Sequence, residues 1–246
     1  MKKIAILADI HGNILALEQV VADFQKRGVD QVVTLGDLIS GPLWPRETAQ
    51  FLMKQSWYQV AGNHDRQLVK KDPSTYGLTD QYTDAIIHQT ERDWLRSLPV
   101  SRIINDEILL FHGTPQNDSQ YLLETVQNGS IFLSSHNEIK TRLDGHSCKI
   151  YLCGHTHIPR CVTLADQTLI VNPGSVGLPA YTDDQPEKHR VETGSPCARY
   201  AIMEQTNGRW VVELISIPYD HNTAADMARK NNRLEWETWL RTGYAE

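Results

Sequence analysis

The stretch KIAILADIHGNILALEQVVADFQKRG, Lys3 to Gly28, sets the pattern for the rest of the chain. KIAIL is a short apolar run of strand length. It breaks at Asp9 into the polar turn Asp9-Ile10-His11-Gly12-Asn13. From Ile14 the period changes. Leu17, Val20, Val21 and Phe24 fall at i, i+3, i+4 and i+7 of one helical face, and Gly28 is a stop signal. Strand, polar turn and helix form the first half of a right-handed βαβ unit.

Similar runs recur outward from it. QVVTL precedes Gly36, WYQV precedes Ala61, EILLF precedes His112, KIYLC precedes Gly154 and TLIV precedes Asn172. PRETAQFLMKQ, Pro45 to Gln55, reads as a second helix with proline in its first turn. Strands alternating with helices at this pitch predict an α/β fold with a largely parallel sheet. After about residue 160, RCVTLADQTLIV and ARYAIMEQTNGRWVVELISI read as antiparallel hairpins, the second turning at Asn207-Gly208. An amphipathic helix is expected from about Thr223 to Leu240. Three segments are less regular: Leu68 to Leu98, Gln116 to Asp144, and Tyr181 to Pro196. The first two carry helical patterns, TDAIIHQTERDWLRSL from Thr83 and SQYLLETVQ from Ser119. With no repeat or linker, residues 1–246 are expected to form one domain, with 68–98 and 116–144 as helical insertions bordering the site.

Composition narrows the function classes. A formal charge of −6 argues against a surface built for long nucleic acid. The four cysteines, Cys148, Cys153, Cys161 and Cys197, show no C-x-x-C spacing, and Cys153 reads as a small core residue. The opening MKKIAILA imitates a secretion signal until Asp9 and His11 interrupt it. No stretch of about 18 apolar residues exists to span a membrane. A cytoplasmic protein is expected.

The polar residues collect at strand ends. Asp9 and His11, Asp37, Asn63-His64-Asp65, His112, and His155 with His157 each follow an apolar run and adjoin a glycine. In open α/β sheets that edge is where ligands bind. Any one such motif is what an ordinary turn or helix cap would give; five at one edge are not. Four histidines, two aspartates and one asparagine suit zinc, manganese or iron. Seven donors exceed one tetrahedral ion but fit two ions about 3.5–4 Å apart that share a carboxylate.

Asp9-x-His11, Gly36-Asp37, Gly62-Asn63-His64-Asp65, His112-Gly113 and Gly154-His155-Thr156-His157, in this order, resemble the signature of the calcineurin-like metallophosphoesterases. NPGSVGLP, Asn172 to Pro179, and IPYD, Ile217 to Asp220, extend the likeness to a branch of small bacterial phosphodiesterases and phosphatases. The resemblance implies a four-layer αββα sandwich of two mixed β-sheets flanked by helices. It implies that Asp9, His11 and His157 hold one divalent ion, that Asn63, His112 and His155 hold a second, and that Asp37 bridges them. A hydroxide shared by both ions would attack phosphorus. His64 would protonate the leaving group, with Asp65 fixing its ring. Asn13, opening the first helix, is placed to meet a phosphate oxygen, or simply to cap the helix.

One departure bears on substrate. The protein phosphatases of this family follow the second motif with an arginine that grips phosphate, and here Leu38 stands in its place. Arg66 is the nearest substitute by sequence, although solvent or an ion pair is its expected partner. The expected function is therefore hydrolysis of small phosphoesters or nucleotides, such as dinucleoside polyphosphates. The alternatives are a serine/threonine phosphoprotein phosphatase and a non-catalytic metal-binding interaction scaffold. The complete ligand set and His64 favour an enzyme. His88, His136, His146, His189 and His221 match no motif, and Trp44 is expected to pack its loop.

Overall fold

The computed structural model describes residues 3–143 and 145–245; Met1 and Lys2 of the signal-like opening, Asp144 at the end of the second expected insertion, and Glu246 lie outside the described residues. The chain opens with β1 (Lys3–Leu7), α1 (Ile14–Lys26), β2 (Gln31–Thr34), α2 (Pro45–Leu52) and the two-residue β3 (Tyr58–Gln59). Next come α3 (Asn63–Lys70), α4 (Leu78–Ile86), α5 (Gln89–Ser97), β4 (Ser101–Ile104) and β5 (Ile108–Phe111). The hairpin β6 (Glu124–Gln127) and β7 (Ser130–Leu133) leads through α6 (His136–Arg142) to β8 (Ile150–Leu152), β9 (Arg160–Thr163) and β10 (Leu169–Asn172). Two more hairpins, β11 (Ala180–Asp183) with β12 (His189–Glu192) and β13 (Ala198–Thr206) with β14 (Arg209–Ile217), precede α7 (His221–Lys230) and α8 (Leu234–Thr242).

Two mixed sheets result, ordered β14-β13-β1-β2-β3 and β4-β5-β8-β10-β9. Only the pairs β1–β2, β2–β3, β5–β8 and β8–β10 are parallel; antiparallel strands flank them. The alternation within each strand explains the layering. Ile4, Ile6, Val33 and Leu35 face Ile108, Leu110, Ile150, Leu152 and Val171 in a core between the sheets. Ala5 and Leu7 face the other way, onto Leu17, Val20 and Phe24 of α1 and Leu52 of α2. Leu109, Phe111, Tyr151 and Ile170 of the second sheet cover Ile139 and Leu143 near α6. Helix, sheet, sheet, helix is the four-layer sandwich expected. Each large apolar side chain buried in it contributes about 1.5–3 kcal/mol.

Two local expectations fail. SQYLLETVQ forms no helix; its second half is β6, which turns at Asn128-Gly129, with φ of 55° and 71°, into β7. Asn-Gly supplies the two left-handed residues that a two-residue hairpin turn needs, as it does at Asn207-Gly208. The helix expected over Thr223 to Leu240 is two helices, α7 and α8, broken at Asn231-Asn232-Arg233. Asn232 sits at φ 58°, and the Asn231 amide donates to the Pro42 carbonyl and the Tyr82 hydroxyl, both at 2.8 Å. Asparagine is a poor helix former that tolerates this conformation, so the side-chain bonds outcompete the helix.

The segment 68–98 holds a 3₁₀ turn at Pro73–Thr75 with α4 and α5, whereas 116–144 holds a hairpin and one seven-residue helix. The polar stretch after Tyr181 is the β11–β12 hairpin. Trp44 packs against the cluster of Leu43, Leu178, Trp236 and Leu240. None of the helices among the described residues is long and apolar enough to cross a membrane.

Candidate metal centre and active site

The parallel strands of both sheets deliver their C-terminal ends to one place. Asp9 and His11 follow β1, Asp37 follows β2, and Asn63 and His64 open α3 just beyond β3. His112 follows β5 directly, and His155 and His157 follow β8. The first two loops are laced by backbone bonds, from Asp9 N to Gly36 O at 3.1 Å and from His11 N to Asp37 O at 3.0 Å. Gly62 admits a close approach to the second loop: a Cβ there would stand 2.2 Å from Asp37 Oδ1. Asp9, His11, Asp37, His155 and His157 all have φ between 52° and 70°. A non-glycine residue in that region costs on the order of 1–3 kcal/mol and persists only where its surroundings over-determine it. Five together at one edge mark the region where the fold is bent to aim side chains.

The rings are aimed through their Nδ1 atoms. His11 Nδ1 donates to Ser40 O at 2.8 Å, His112 Nδ1 to Leu35 O at 2.7 Å and His157 Nδ1 to Leu178 O at 2.8 Å. A carbonyl can only accept, so Nδ1 carries a proton, and Nε2 is the atom that presents a lone pair when the ring is neutral. Those lone pairs converge. His11 Nε2 and His157 Nε2 are 3.2 Å apart, and Asp9 Oδ1 lies 3.4 Å from the latter. His112 Nε2 lies 3.0 Å from Asn63 Oδ1 and 3.3 Å from Asp37 Oδ2. Acceptors crowd one another here, in a region almost wholly removed from water: Asp9 and His112 are 0% and 1% exposed. Such an array is costly unless a cation occupies its centre.

Two adjacent ligand sets emerge, Asp9 with His11 and His157, and Asp37 with His112 and His155. Asn63 joins the second through its contact with His112. Asp37 lies between the sets, 3.9 Å from His11 Nε2 and 3.3 Å from His112 Nε2. The donors fit divalent ions of the zinc, manganese or iron kind. Electrostatics agree. Burial and neighbouring His157 push His11 down to about 4; burial and His112 push His155 down to about 3. Both are neutral, as ligands must be. Burial opposes charge on His112, but Asp37 and Asp9 outweigh it and push it up to about 10, so without an ion this ring carries a second proton on Nε2 that it shares with Asp37, and ligation requires that proton to leave. Burial likewise opposes ionisation of Asp37, yet His112 and His64 hold its carboxyl well below the usual range.

Two expected side-chain roles do not match the geometry. His64 Nδ1 bonds not to Asp65 but to Asp80 Oδ1, at 2.8 Å, and Asp80 also accepts from the Ser40 hydroxyl at 2.5 Å. Asp65 is fully buried and accepts from Gly62 N at 2.9 Å and Leu38 N at 3.1 Å, tying α3 to the loop after β2. Asn13 caps α1 through Ala16 N at 3.2 Å and donates to Gly177 O at 2.9 Å and the Tyr219 hydroxyl at 3.0 Å. Both of its amide hydrogens are committed, so none is left for a phosphate oxygen, and it is 0% exposed. Arg66 forms a forked ion pair with Asp118, at 2.5 and 2.8 Å.

The ligand sets floor a cleft of about 420 Å³, walled by His64, Thr79, Tyr181, Asp183, Arg233 and Trp236 among others. Asp80 and Thr79 come from the first irregular segment. The second contributes Tyr121, whose ring lies 5.0 Å from that of His155 and whose hydroxyl bonds to Tyr181 and His189. Sequence reasoning missed Asp80, Tyr121, Tyr181, Arg233 and Trp236. None carries a motif; Tyr181, Arg233 and Trp236 line the cleft, and Asp80 and Tyr121 touch His64 and His155 from behind it, through excursions that spacing does not reveal.

Comparison with known proteins follows the same line. The family model of the calcineurin-like phosphoesterase superfamily domain matches residues 1–194. An uncharacterized protein of Methanocaldococcus jannaschii is 25% identical over 254 residues, covering 95% of this chain and 94% of its own. The crystal structure of a metallophosphoesterase from Sphaerobacter thermophilus superposes with a TM-score of 0.76 at 22% identity, over 99% of both chains. A hypothetical protein from Pyrococcus horikoshii does so with a TM-score of 0.76 at 18% identity, over 100% of both. At these identities the structural matches speak for the fold alone.

Proposed function

The chain belongs to the calcineurin-like phosphoesterase superfamily and is a metal-dependent phosphoesterase, and on that premise we propose that it hydrolyses small phosphoesters or nucleotides, dinucleoside polyphosphates among them, with two divalent ions. The observation that carries this reading is the convergence of Nε2 and carboxylate lone pairs between Asp9, Asp37, His11, His112 and His157. Asp9, His11 and His157 would hold one ion and Asn63, His112 and His155 the other, with Asp37 set between the two groups. When bound, such ions lower the pKa of a water and draw charge from phosphoryl oxygens.

The remaining steps belong to side chains. The carbonyls of Ser40, Leu35 and Leu178 keep three imidazoles in the tautomer that ligates. His64, 30% exposed at the cleft, has its Nδ1 committed to Asp80, so Nε2 is the atom that gives a proton to the departing oxygen. Asp65 supports this indirectly, by fixing the first turn of α3 on which His64 stands.

Two features favour a small substrate over a phosphoprotein. Leu38, at the position where an arginine would grip a protein-borne phosphate, is a fully buried core residue. The cleft is also walled by α4 and the β11–β12 hairpin. The four cysteines are free thiols, in keeping with the reducing cytoplasm as the working compartment.

Manganese-loaded protein tested on bis-p-nitrophenyl phosphate, p-nitrophenyl phosphate and a dinucleoside polyphosphate checks the reading. Metal-dependent turnover of at least one is expected. Ions bound at full stoichiometry without hydrolysis of any of the three would instead favour the interaction scaffold.

A further inference from the structure

We infer that Arg233 is a second anion-binding residue of the cleft, placed to hold a phosphate next to the scissile one. The inference rests on the hydrolase reading for the position of the scissile phosphate.

Among the described residues lining the cleft, Arg233 is the one permanently charged cation. The other basic candidates are committed elsewhere or absent. Arg66 is forked onto Asp118, and no arginine follows Gly36-Asp37. Arg233, in contrast, is under-used. Its guanidinium has five donor hydrogens. Nε is committed to Glu235 Oε1 at 2.5 Å, and Nη1, buried, has no hydrogen-bond partner. The whole side chain is only 11% exposed. A buried, unpartnered guanidinium nitrogen is rare in a folded protein and is to be explained. Its chemistry calls for an acceptor with several oxygens, and a phosphate matches the fork.

The placement also says which phosphate. The guanidinium stands over the Trp236 ring, 5.7 Å from its centre, and the Trp236 ring meets His11 edge-on at 6.0 Å. One aromatic ring therefore separates Arg233 from a ligand of the metal centre. An arginine set one ring back from an ion ligand suits a second phosphate of the same ligand better than the one the ions hold.

Position along the chain explains how the arginine is held. Arg233 closes the break between α7 and α8, where Asn232 at φ 58° turns the backbone and Arg233 N donates to Ala228 O at 2.9 Å. Glu235, in the first turn of α8 and itself on the cleft wall, holds Nε and leaves Nη1 without a hydrogen-bond partner. Asp183, across the cleft, disfavours an anion that does not also engage a cation. Selection then favours ligands that carry two phosphates, one for the ions and one for Arg233.

Calorimetry on the manganese-loaded chain tests this with adenosine 5′-monophosphate and adenosine 5′-(α,β-methylene)diphosphate, which differ by one phosphate. Wild type should bind the diphosphate analogue more tightly. Arg233→Gln should weaken the analogue roughly tenfold or more, as loss of a charge-assisted hydrogen bond does, and the monophosphate less than about twofold. Arg233→Lys, which keeps the charge and loses the fork, should fall between the two. Unfolding temperatures separate a binding loss from a folding loss, and the lysine variant keeps the test open if the glutamine variant fails to fold. Equal weakening of both ligands, no weakening, or a wild type indifferent to the second phosphate would overturn the assignment. Binding needs no turnover, so a chain that selects the diphosphate but hydrolyses nothing would sink the hydrolase reading and leave Arg233 standing.

Discussion

His64 Nδ1 lies 2.8 Å from Asp80 Oδ1, and that carboxylate is 2% exposed. Burial works against a charged His64 ring, but Asp37 and Asp80 outweigh it and push the imidazole up to about 9. The sign follows directly. A raised pKa keeps the proton on the ring to higher pH than free imidazole would, and the donor is lost as pH rises through that value. Removing one of the two carboxylates lowers it. In Asp80→Asn the alkaline limb of kcat should therefore move to lower pH than in wild type. Asp65→Asn should move that limb less than Asp80→Asn does and chiefly lower the unfolding temperature, because Asp65 makes no hydrogen bond to His64 and serves backbone N–H groups. pH–rate profiles on an ester with a poor leaving group read both, and an unmoved limb in Asp80→Asn would detach His64 from the protonation step.

Elemental analysis of protein purified without chelator should find two divalent ions per chain. Asp37 lies between the two ligand sets, whereas His157 belongs to one. Asp37→Ala is thus expected to lose both ions and His157→Ala mainly one. A preparation fully active with a single ion would refute the dinuclear centre.

His64→Ala should keep its ions, since His64 belongs to neither ligand set. Turnover should fall by roughly 10²–10⁴, the usual worth of a general acid. That loss should shrink for p-nitrophenolate, which departs without a proton. An equal loss across leaving groups would point to phosphate binding or site geometry instead.

Much of this was legible in the sequence for a physical reason. Asp9, Asp37, His112 and His155 each lie within a few residues of the end of a strand, and parallel strands bring their C-terminal ends together whatever the loops do. The four-layer architecture followed from family resemblance, since the apolar runs alone do not say that two sheets form. Asp80 was not legible. It reaches His64 from sixteen residues away through a turn and a helix whose docking depends on tertiary packing. Asn13 was ambiguous because a cap and a phosphate ligand require the same residue, and only burial decides. SQYLLETVQ was misread because its apolar spacing outweighed the Asn128-Gly129 turn that follows it, a hairpin signal present in the sequence.

The last prediction concerns substrate size. The metal ligands lie at the bottom of a cleft of about 420 Å³, between Thr79 of α4 on one side and Tyr181, Thr182 and Asp183 of β11 on the other. Neither wall hangs loose. Asp80 of α4 is bound to His64 and Ser40, and the Tyr181 ring packs 4.7 Å from His157 while its hydroxyl is bonded to that of Tyr121 at 2.7 Å. The opposing walls admit a nucleotide-sized ligand, but a phosphoserine on a folded surface would have to bring its protein down between them. Hydrolysis of a small phosphoester should therefore exceed that of a folded phosphoprotein by at least about tenfold in kcat/KM, ~1.4 kcal/mol of transition-state discrimination. The phosphopeptide cut from that same protein separates sterics from chemistry: it should recover much of the difference, because the ester is identical and only the bulk is gone. Comparable kcat/KM on the folded phosphoprotein would mean that the walls open, and the protein-phosphatase alternative would return.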